Sequence, residues 1–351
     1  MDIQDNADIL RQKEAFLLLT RRTASVLFAL QRLVEKYKDL PCVAYTHLQA
    51  AEPTTLGYRF SSWAQDLLYD LKSLEWFLTD IRGKGLKGAT GTSASYVEIF
   101  KDEKKVEKLE KDFMDFLGLQ AFDVATQTYP RKQDLVLASV LSGLAQTLHK
   151  IGLDVRLMQM QHEASEPFGK KQVGSSAMPF KRNPMSSERL CSLARLVASA
   201  PMMAWENAAN NALERTLDDS ANRRIYMEQS FLALDEMLLL AYRILSGLNV
   251  NEKVIRRRLD EHAPFALTEV LLMDYVKKGA SRQEAHEKLR DDAMAAWQDV
   301  LEGNPNPLAA RTKHVDVKKH VGLSAKKAAA FSKTLTKALK AYSEGQESAT
   351  F

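Results

Sequence analysis

Apolar side chains recur every three or four residues through long stretches of this chain, which is the pattern of amphipathic helices. Five long helices are predicted on this basis, at about 9–40, 54–82, 132–162, 185–213 and 221–248. Pro41 ends the first helix and Pro130 precedes the third. Helices of this length favour an elongated bundle, in which they pack against one another and against other subunits.

The pattern changes near Asn251. The helices predicted beyond this point are shorter, at about 251–262, 267–277, 282–297 and 324–340. The sequence therefore predicts an all-α fold in two units. These are a central helical-bundle domain over residues 1–250, with a loop at 169–185, and a smaller C-terminal helical domain over 251–351.

Composition and charge narrow the class of protein. Of the 351 residues, 45% are hydrophobic and 27% are charged, which is usual for a soluble globular protein. The net charge of +4 is too small to indicate nucleic-acid binding, and it is compatible with local basic pockets for an anionic ligand. Cys42 and Cys191 form neither a metal-ligand spacing nor a disulfide framework. With no apolar run of bilayer length and no signal-peptide pattern recognised, a cytoplasmic location is expected.

The segment 174–184 gathers several reactive residue types in a short stretch with Gly174, Pro179 and Pro184. Glycine and proline at these positions predict an irregular loop, which can move while its ends are held. Lys181 and Asn183 are suited to stabilising negative charge on a carboxylate. The segment also contains the pair Ser175-Ser176. On its own, a pair of serines would indicate a turn or a helix cap.

His47 follows Thr46 in a polar stretch between the first two helices. Histidine is the usual general acid near neutral pH, because its reference pKa is about 6.5. On residue type alone, a structural or solvated histidine remains the better interpretation. Gln127, before the third helix, has the chemistry to hydrogen-bond a carboxylate or the edge of a purine.

Three arginines and a serine lie in the link between the fourth and fifth helices, at Arg215, Ser220, Arg223 and Arg224. Arginine binds phosphate in bidentate geometry, and a serine at a helix start adds a donor near the positive end of the helix dipole. On residue type alone, a helix cap with surface ion pairs is favoured.

Taken together, these segments resemble the adenylosuccinate lyase branch of the fumarase/aspartase lyase superfamily. The stretches that carry the resemblance are 45–57, 174–189 and 213–224. The resemblance implies a fumarase/aspartase-like fold and a β-elimination in purine nucleotide biosynthesis. Fumarate would leave adenylosuccinate, giving AMP, and would also leave the succinyl-carboxamide ribotide intermediate. No cofactor is implied, because the substrate carboxylate takes up the charge, and no metal is expected.

The resemblance also implies roles for particular residues. Ser175 would be the base and His47 the acid, with Glu188 orienting the histidine. Lys181 and Asn183 would bind the succinyl carboxylates. Glu188 also lies in the first turn of a predicted helix, where acidic residues are favoured for dipole reasons alone. The remaining implied contacts are Arg215, Ser220 and Arg224 with the 5′-phosphate, and Thr46 and Gln127 with the substrate.

The resemblance begins near Asp5, so an N-terminal domain of the family pattern is expected to be missing. The expected partners are a small-molecule nucleotide and other copies of the chain, in a homotetramer with shared active sites, without nucleic acid or membrane. Two alternatives stay open. One is another superfamily lyase, such as argininosuccinate lyase, and the other is a truncated, non-catalytic helical assembly protein.

Overall fold

A computed structural model describes residues 1–169, 178, 180–313 and 315–343. Its α-helices confirm the predicted all-α fold. In chain order they are α1 Asp2–Tyr37, α2 Leu56–Asp80, α3 Ala94–Phe100, α4 Glu103–Leu117, α5 Lys132–Met160, α6 Met185–Ala209, α7 Ser220–Ser246, α8 Glu252–Ala266, α9 Thr268–Lys277, α10 Arg282–Leu301, α11 Leu308–Thr312 and α12 Ser324–Ala338.

Short strands lie between some of the helices, and each strand pairs with one other strand. They are β1 Pro41–Thr46 with β2 Gln49–Thr55 (antiparallel), β3 Arg82–Gly83 with β4 Gln120–Ala121 (parallel), and β5 Ala164–Ser165 with β6 Asn249–Val250 (antiparallel). The β1–β2 pair is a hairpin with a two-residue turn, and it follows α1 directly. Two short 3-10 helices lie at Val317–His320 and Leu339–Ala341.

Five long helices form the bundle that carries the main core. Helices α1, α5 and α7 run in one direction, and α2 and α6 run in the other. Two contacts fix the parallel register of α1 and α7, since Asp8 pairs with Arg223 and the rings of Phe16 and Phe231 lie 5.6 Å apart. Aromatic and aliphatic side chains at helical spacing fill the centre and are almost fully buried, which stabilises the bundle through the hydrophobic effect.

The bundle has two ends that matter for function. We call the end where α1, α5 and α7 begin the amino end, and the opposite end the hairpin end, because the β1–β2 hairpin lies there. Helix α1 has 36 residues. At a rise of 1.5 Å per residue, the two ends are therefore roughly 50 Å apart.

The long helices follow the predicted pattern closely. Helix α1 ends before Pro41, and the Thr55 hydroxyl caps α2 by accepting a hydrogen bond from the backbone N–H of Tyr58, at 3.3 Å. The fourth helix stops at Ala209, four residues before the predicted limit. The polar stretch that contains Thr46 and His47 belongs to the hairpin, which the helical pattern did not predict, because the backbone on either side of its turn is strand-paired. Helices α3 and α4 were not predicted.

The last hundred residues contain both a small separate core and a helix that returns to the bundle. Helices α9 and α10 pack around Leu271, Leu272 and Leu289. Helix α12 packs on α1 and α2, and its Leu335 belongs to the main core. The predicted division near residue 250 therefore remains a prediction.

The expectation that no apolar run has bilayer length needs correction. Helix α5 is long and apolar enough to cross a membrane, by length and composition, with a mean hydropathy of 1.2 in its most apolar stretch. Half of that stretch is buried inside the protein, where α5 packs on α6, α2 and α7. The apolar character of α5 thus fits a core helix of the bundle.

Candidate active site

The turn of the β1–β2 hairpin presents Thr46 and His47 to solvent at the hairpin end. The backbone of His47 has φ of 52°, and that of Leu48 has φ of 60°. Two consecutive left-handed residues form the type of turn that suits a two-residue hairpin, although asparagine and glycine usually fill it. A bulky leucine in this region is strained, and strain of this kind is concentrated at functional sites. The turn therefore places His47 at the tip of a well-defined projection.

A buried carboxylate anchors the base of this hairpin. The side chain of Glu163 is 1% exposed and follows α5 in the chain. It accepts hydrogen bonds from the Tyr45 hydroxyl at 3.1 Å and from the Arg59 guanidinium at 3.3 Å. Arg258 of α8 lies 3.6 Å away. Burial raises the pKa of Tyr45, so this hydroxyl stays a hydrogen-bond donor at neutral pH. Three helices thus hold the strand that leads to His47.

We call the predicted loop at 169–185 the signature loop, and its described residues that precede α6 lie at the same end of the bundle. Ser175 lies outside the described residues. Lys181 and Glu188 are exposed, and Asn183 is half-buried. Within the described part of a single chain, no hydrogen bond joins Glu188 to the imidazole of His47. The proposed pairing of these two side chains therefore remains a prediction.

The start of α6, just after this loop, is held by Glu166. Its side chain accepts hydrogen bonds from the backbone N–H of Ser186 at 3.0 Å and of Ser187 at 2.9 Å. The Ser187 hydroxyl also donates to it, at 2.8 Å. Glu166 is buried, and its negative charge lies at the positive end of the α6 dipole. The loop therefore joins a rigid helix start at its carboxyl side.

At the amino end, a cavity of about 750 Å³ lies between α1, the segment before α7, and α7 itself. Arg215, Ser220 and Arg224 all line it, so the structure brings these three predicted phosphate ligands together. Gln127 is tied to the same region, because its backbone N–H donates to the carbonyl oxygen of Glu214 at 3.2 Å. The cavity combines cationic side chains with the N-terminus of α7, which suits an anion.

Arg223 lies next to Arg224 in the chain and has a different environment. Its guanidinium is bound to Asp134 at 2.7 Å, to Asp8 at 3.0 Å and to the Tyr129 hydroxyl. Although burial disfavours the charged form, Asp134 raises the pKa of Arg223 above its usual range. Arg223 therefore neutralises buried carboxylates and joins α7 to α1 and α5.

Arg131 also neutralises buried carboxylates, and these are Asp219 and Asp5. It binds Asp219 at 2.6 Å and lies 3.6 Å from Asp5. Burial raises the pKa of Asp5, and the nearby Arg131 opposes that shift. Arg215 also approaches Asp219, at 3.5 Å, but its buried Nη1 has no hydrogen-bond partner in the described structure. A buried donor without a partner is unusual, and Arg215 itself lines the cavity.

Sequence reasoning missed this network of buried ion pairs. Two signals were available, since Asp5 with Asp8 and Arg131 with Asp134 are each three residues apart, a spacing that places side chains on one helix face. No cluster of three or more potential metal ligands occurs among the residues that the structure describes.

The candidate residues thus form two groups at opposite ends of the bundle. Thr46, His47 and the segment that contains Lys181 lie at the hairpin end. Arg215 and Arg224, with the cavity, lie at the amino end. A separation of roughly 50 Å is several times the length of a nucleotide, so one chain cannot bring both groups to one substrate.

The fold and these sites define a class of protein. A family model described as lyase matches residues 12–198. The chain belongs to this lyase family, within the fumarase/aspartase superfamily.

Individual relatives carry a more specific name than the family model does. The chain is similar to the adenylosuccinate lyase of Saccharomyces cerevisiae, with 43% identity over 314 residues, covering 89% of this chain and 65% of the relative. It is 43% identical to that of Schistosoma mansoni, covering 87% of this chain and 65% of the relative. For Pyrococcus horikoshii the identity is 37%, with 86% and 66% covered. The chain therefore spans about 65% of the length of the first two relatives.

Solved structures share the fold. The 3-carboxy-cis,cis-muconate lactonizing enzyme from Pseudomonas putida aligns with a TM-score of 0.82 at 21% identity, covering 96% of this chain and 76% of that one. A fumarate lyase from Mesorhizobium sp. BNC1 aligns with a TM-score of 0.75 at 21% identity, covering 97% and 76%. These similarities confirm the fumarase/aspartase-like architecture.

Proposed function

We propose that this chain has the activity of an adenylosuccinate lyase. The reaction is the elimination of fumarate from adenylosuccinate, giving AMP, and from the succinyl-carboxamide ribotide of purine synthesis. The observation that carries the proposal is the cavity at the amino end, where Arg215, Ser220 and Arg224 converge. A phosphate-binding site at this position suits a nucleotide substrate. The identity to adenylosuccinate lyases supports the same choice.

The proposed chemistry assigns a task to each of the remaining predicted site residues. Ser175 removes a proton from the carbon next to a substrate carboxylate, and the resulting charge moves into that carboxylate. Lys181 and Asn183 stabilise this dianion by electrostatic attraction and hydrogen bonding. The carbon–nitrogen bond then breaks as His47 delivers a proton to the leaving nitrogen. Glu188 holds the histidine in the correct tautomer, and Thr46 and Gln127 contact the substrate.

Assembly of several copies follows from the distance between the two groups. One copy supplies the hairpin end and another supplies the amino end of each active site. A homotetramer with shared sites satisfies this requirement, as closed point-group symmetry is usual for soluble oligomers. Exposed apolar side chains along the bundle, such as Leu196, Met202 and Leu232, suit burial between copies. We place the assembly in the cytoplasm, without nucleic-acid or membrane partners and without a cofactor.

The experiment is a parallel assay of fumarate release by the purified chain. Adenylosuccinate, argininosuccinate, malate and aspartate are supplied separately, and absorbance follows the fumarate formed. We expect release from adenylosuccinate alone. Release from argininosuccinate instead would contradict the phosphate site, while silence on all four would contradict catalysis by this chain alone.

A further inference from the structure

The amino-end cavity is lined by more arginines than the phosphate site uses. Five guanidinium groups surround it, from Arg11, Arg131, Arg215, Arg223 and Arg224. Two of these, Arg131 and Arg223, are occupied by buried carboxylates. Among the residues that the structure describes, Arg11 and Arg224 have no carboxylate within ion-pair distance. Arg11 can therefore pair with an anionic ligand, as the predicted phosphate ligand Arg224 can.

The position of Arg11 follows from the packing of α1 on α7. The side of α1 that faces the cavity includes Asp8 and Arg11, which are three residues apart and so lie on one helix face. Because Asp8 is bound to Arg223, Arg11 lies beside the first two turns of α7. Both helices begin at the amino end, and helical side chains lean towards the helix N-terminus. Arg11 and Arg224 therefore both lean towards the end of the cavity that holds Ser220.

The carboxylates around the cavity leave this end positive. Asp5, Asp8 and Asp219 contribute to the buried ion pairs described above. Glu228 also lines the cavity, but it lies eight residues beyond Ser220 on α7, or about 12 Å along the helix axis. The same register places Arg11 level with about residue 226, or about 9 Å beyond Ser220 along the axis, so both Arg224 and Arg11 begin nearer to the start of α7 than Glu228 does.

We propose that Arg11 is a further ligand of the substrate phosphate, in addition to Arg215, Ser220 and Arg224. This inference rests on the proposed nucleotide site and extends it across the cavity to α1. A phosphate dianion held by guanidinium groups from two helices gains charge-assisted hydrogen bonds on two sides. Arg11 thereby couples α1 to the ligand and raises affinity for the phosphorylated substrate without taking part in the chemical step.

The test is calorimetric titration of the purified chain with AMP and, separately, with adenosine, which lacks the phosphate. Removing one hydrogen bond to a charged group weakens binding by about tenfold, so we expect Arg11→Ala to lower AMP affinity by about that factor. Arg11→Lys should retain part of the affinity. Arg21→Ala is the matched control, because Arg21 is also exposed on α1 but does not line the cavity. Adenosine binding should be the same in all variants.

Each other outcome rejects a defined part of the proposal. If Arg11→Ala binds AMP like the wild type while Arg224→Ala binds it weakly, Arg11 is not a ligand and the phosphate site stands. If Arg11→Ala weakens adenosine and AMP equally, its role is not phosphate binding. If AMP fails to bind the wild type, or binds regardless of Arg215→Ala and Arg224→Ala, both the phosphate site and the role of Arg11 are wrong. Circular dichroism of each variant confirms that the fold is retained.

Discussion

Glu166 and Ser187 are joined by two hydrogen bonds, from the Ser187 backbone N–H at 2.9 Å and from its hydroxyl at 2.8 Å. The carboxylate comes from the segment after α5, and the serine lies in the first turn of α6. The contact caps a helix with a residue that is distant in the chain, and it fixes the place where the predicted signature loop ends. A lysine and an asparagine of that loop, Lys181 and Asn183, lie a few residues before this point.

Removal of this cap should weaken both the fold and the proposed reaction. Glu166→Ala leaves the backbone N–H groups of Ser186 and Ser187 without their acceptor, and we expect it to lower the free energy of unfolding by about 2 kcal/mol. Glu166→Gln keeps one acceptor oxygen and should lose less. Urea denaturation measures the stability, and fumarate release measures turnover. Glu107→Ala, which removes an exposed carboxylate on α4, is the control. Equal stability of Glu166→Ala and this control would show that the cap is unimportant.

The neighbours Arg223 and Arg224 should give opposite results. Arg223→Ala removes the nearest cation from Asp134 and the one from Asp8, and loss of one partner of a buried ion pair costs roughly 3–5 kcal/mol. Arg224→Ala removes an exposed side chain, so its melting temperature should match the wild type while its KM for adenylosuccinate rises. Thermal melting and steady-state kinetics separate the two effects. An unchanged KM for Arg224→Ala would contradict the phosphate site.

Mixing two impaired variants should restore activity at a substrate concentration well below the raised KM of Arg224→Ala. His47→Ala removes the proposed acid at the hairpin end, and Arg224→Ala removes a phosphate ligand at the amino end. When equal amounts are unfolded and reassembled together, random pairing leaves about a quarter of the shared sites intact. Fumarate release by the mixture measures this recovery, and each variant reassembled alone is the control. Failure to recover, despite normal assembly by size-exclusion chromatography, would indicate that one chain supplies both residues of a site.

Asp70 should make stability depend on pH. Burial between α2 and α5 raises the pKa of this carboxyl from 3.8 to about 6. A raised pKa means that the folded state binds the proton more tightly than the unfolded state. The stability that the folded protein gains from binding this proton is fully present below about pH 4 and is lost as the pH rises through 6.

Asp70→Asn removes the cost of burying a charged carboxylate above pH 6, because the amide is neutral at every pH. We expect the variant to be more stable than the wild type by roughly 2 kcal/mol at pH 7–8, with the difference disappearing near pH 4. Urea denaturation at several pH values measures it. Asp66→Asn, on an exposed carboxylate one turn earlier, is the control and should show a much smaller effect. A difference that does not vary with pH would exclude titration of Asp70 as the cause.

Local pattern was sufficient for much of the fold. The apolar period of 3.6 residues predicts α1, α2, α5, α6 and α7, and Pro41 and Thr55 mark two of their boundaries, because proline ends a helix and threonine caps one. The hairpin between Pro41 and Thr55 was missed, since strand pairing depends on backbone partners and not on the residues of one strand. Helix α4, with its Asp102 cap, was also missed, although its first turn is well signalled.

By itself, the sequence determined which residue types are available for chemistry, and its motifs indicated a family and a set of roles. The residue types alone could not separate Arg223 from Arg224, because two adjacent residues of one type have the same local signal, and only the family resemblance assigned the phosphate to Arg224. Only the tertiary structure decided that Arg223 is buried against carboxylates, while Arg224 is exposed in the same cavity. It also decided that His47 and Arg224 lie at opposite ends of the bundle. Burial and distance depend on how remote segments pack, so they follow from the whole fold and from no local pattern.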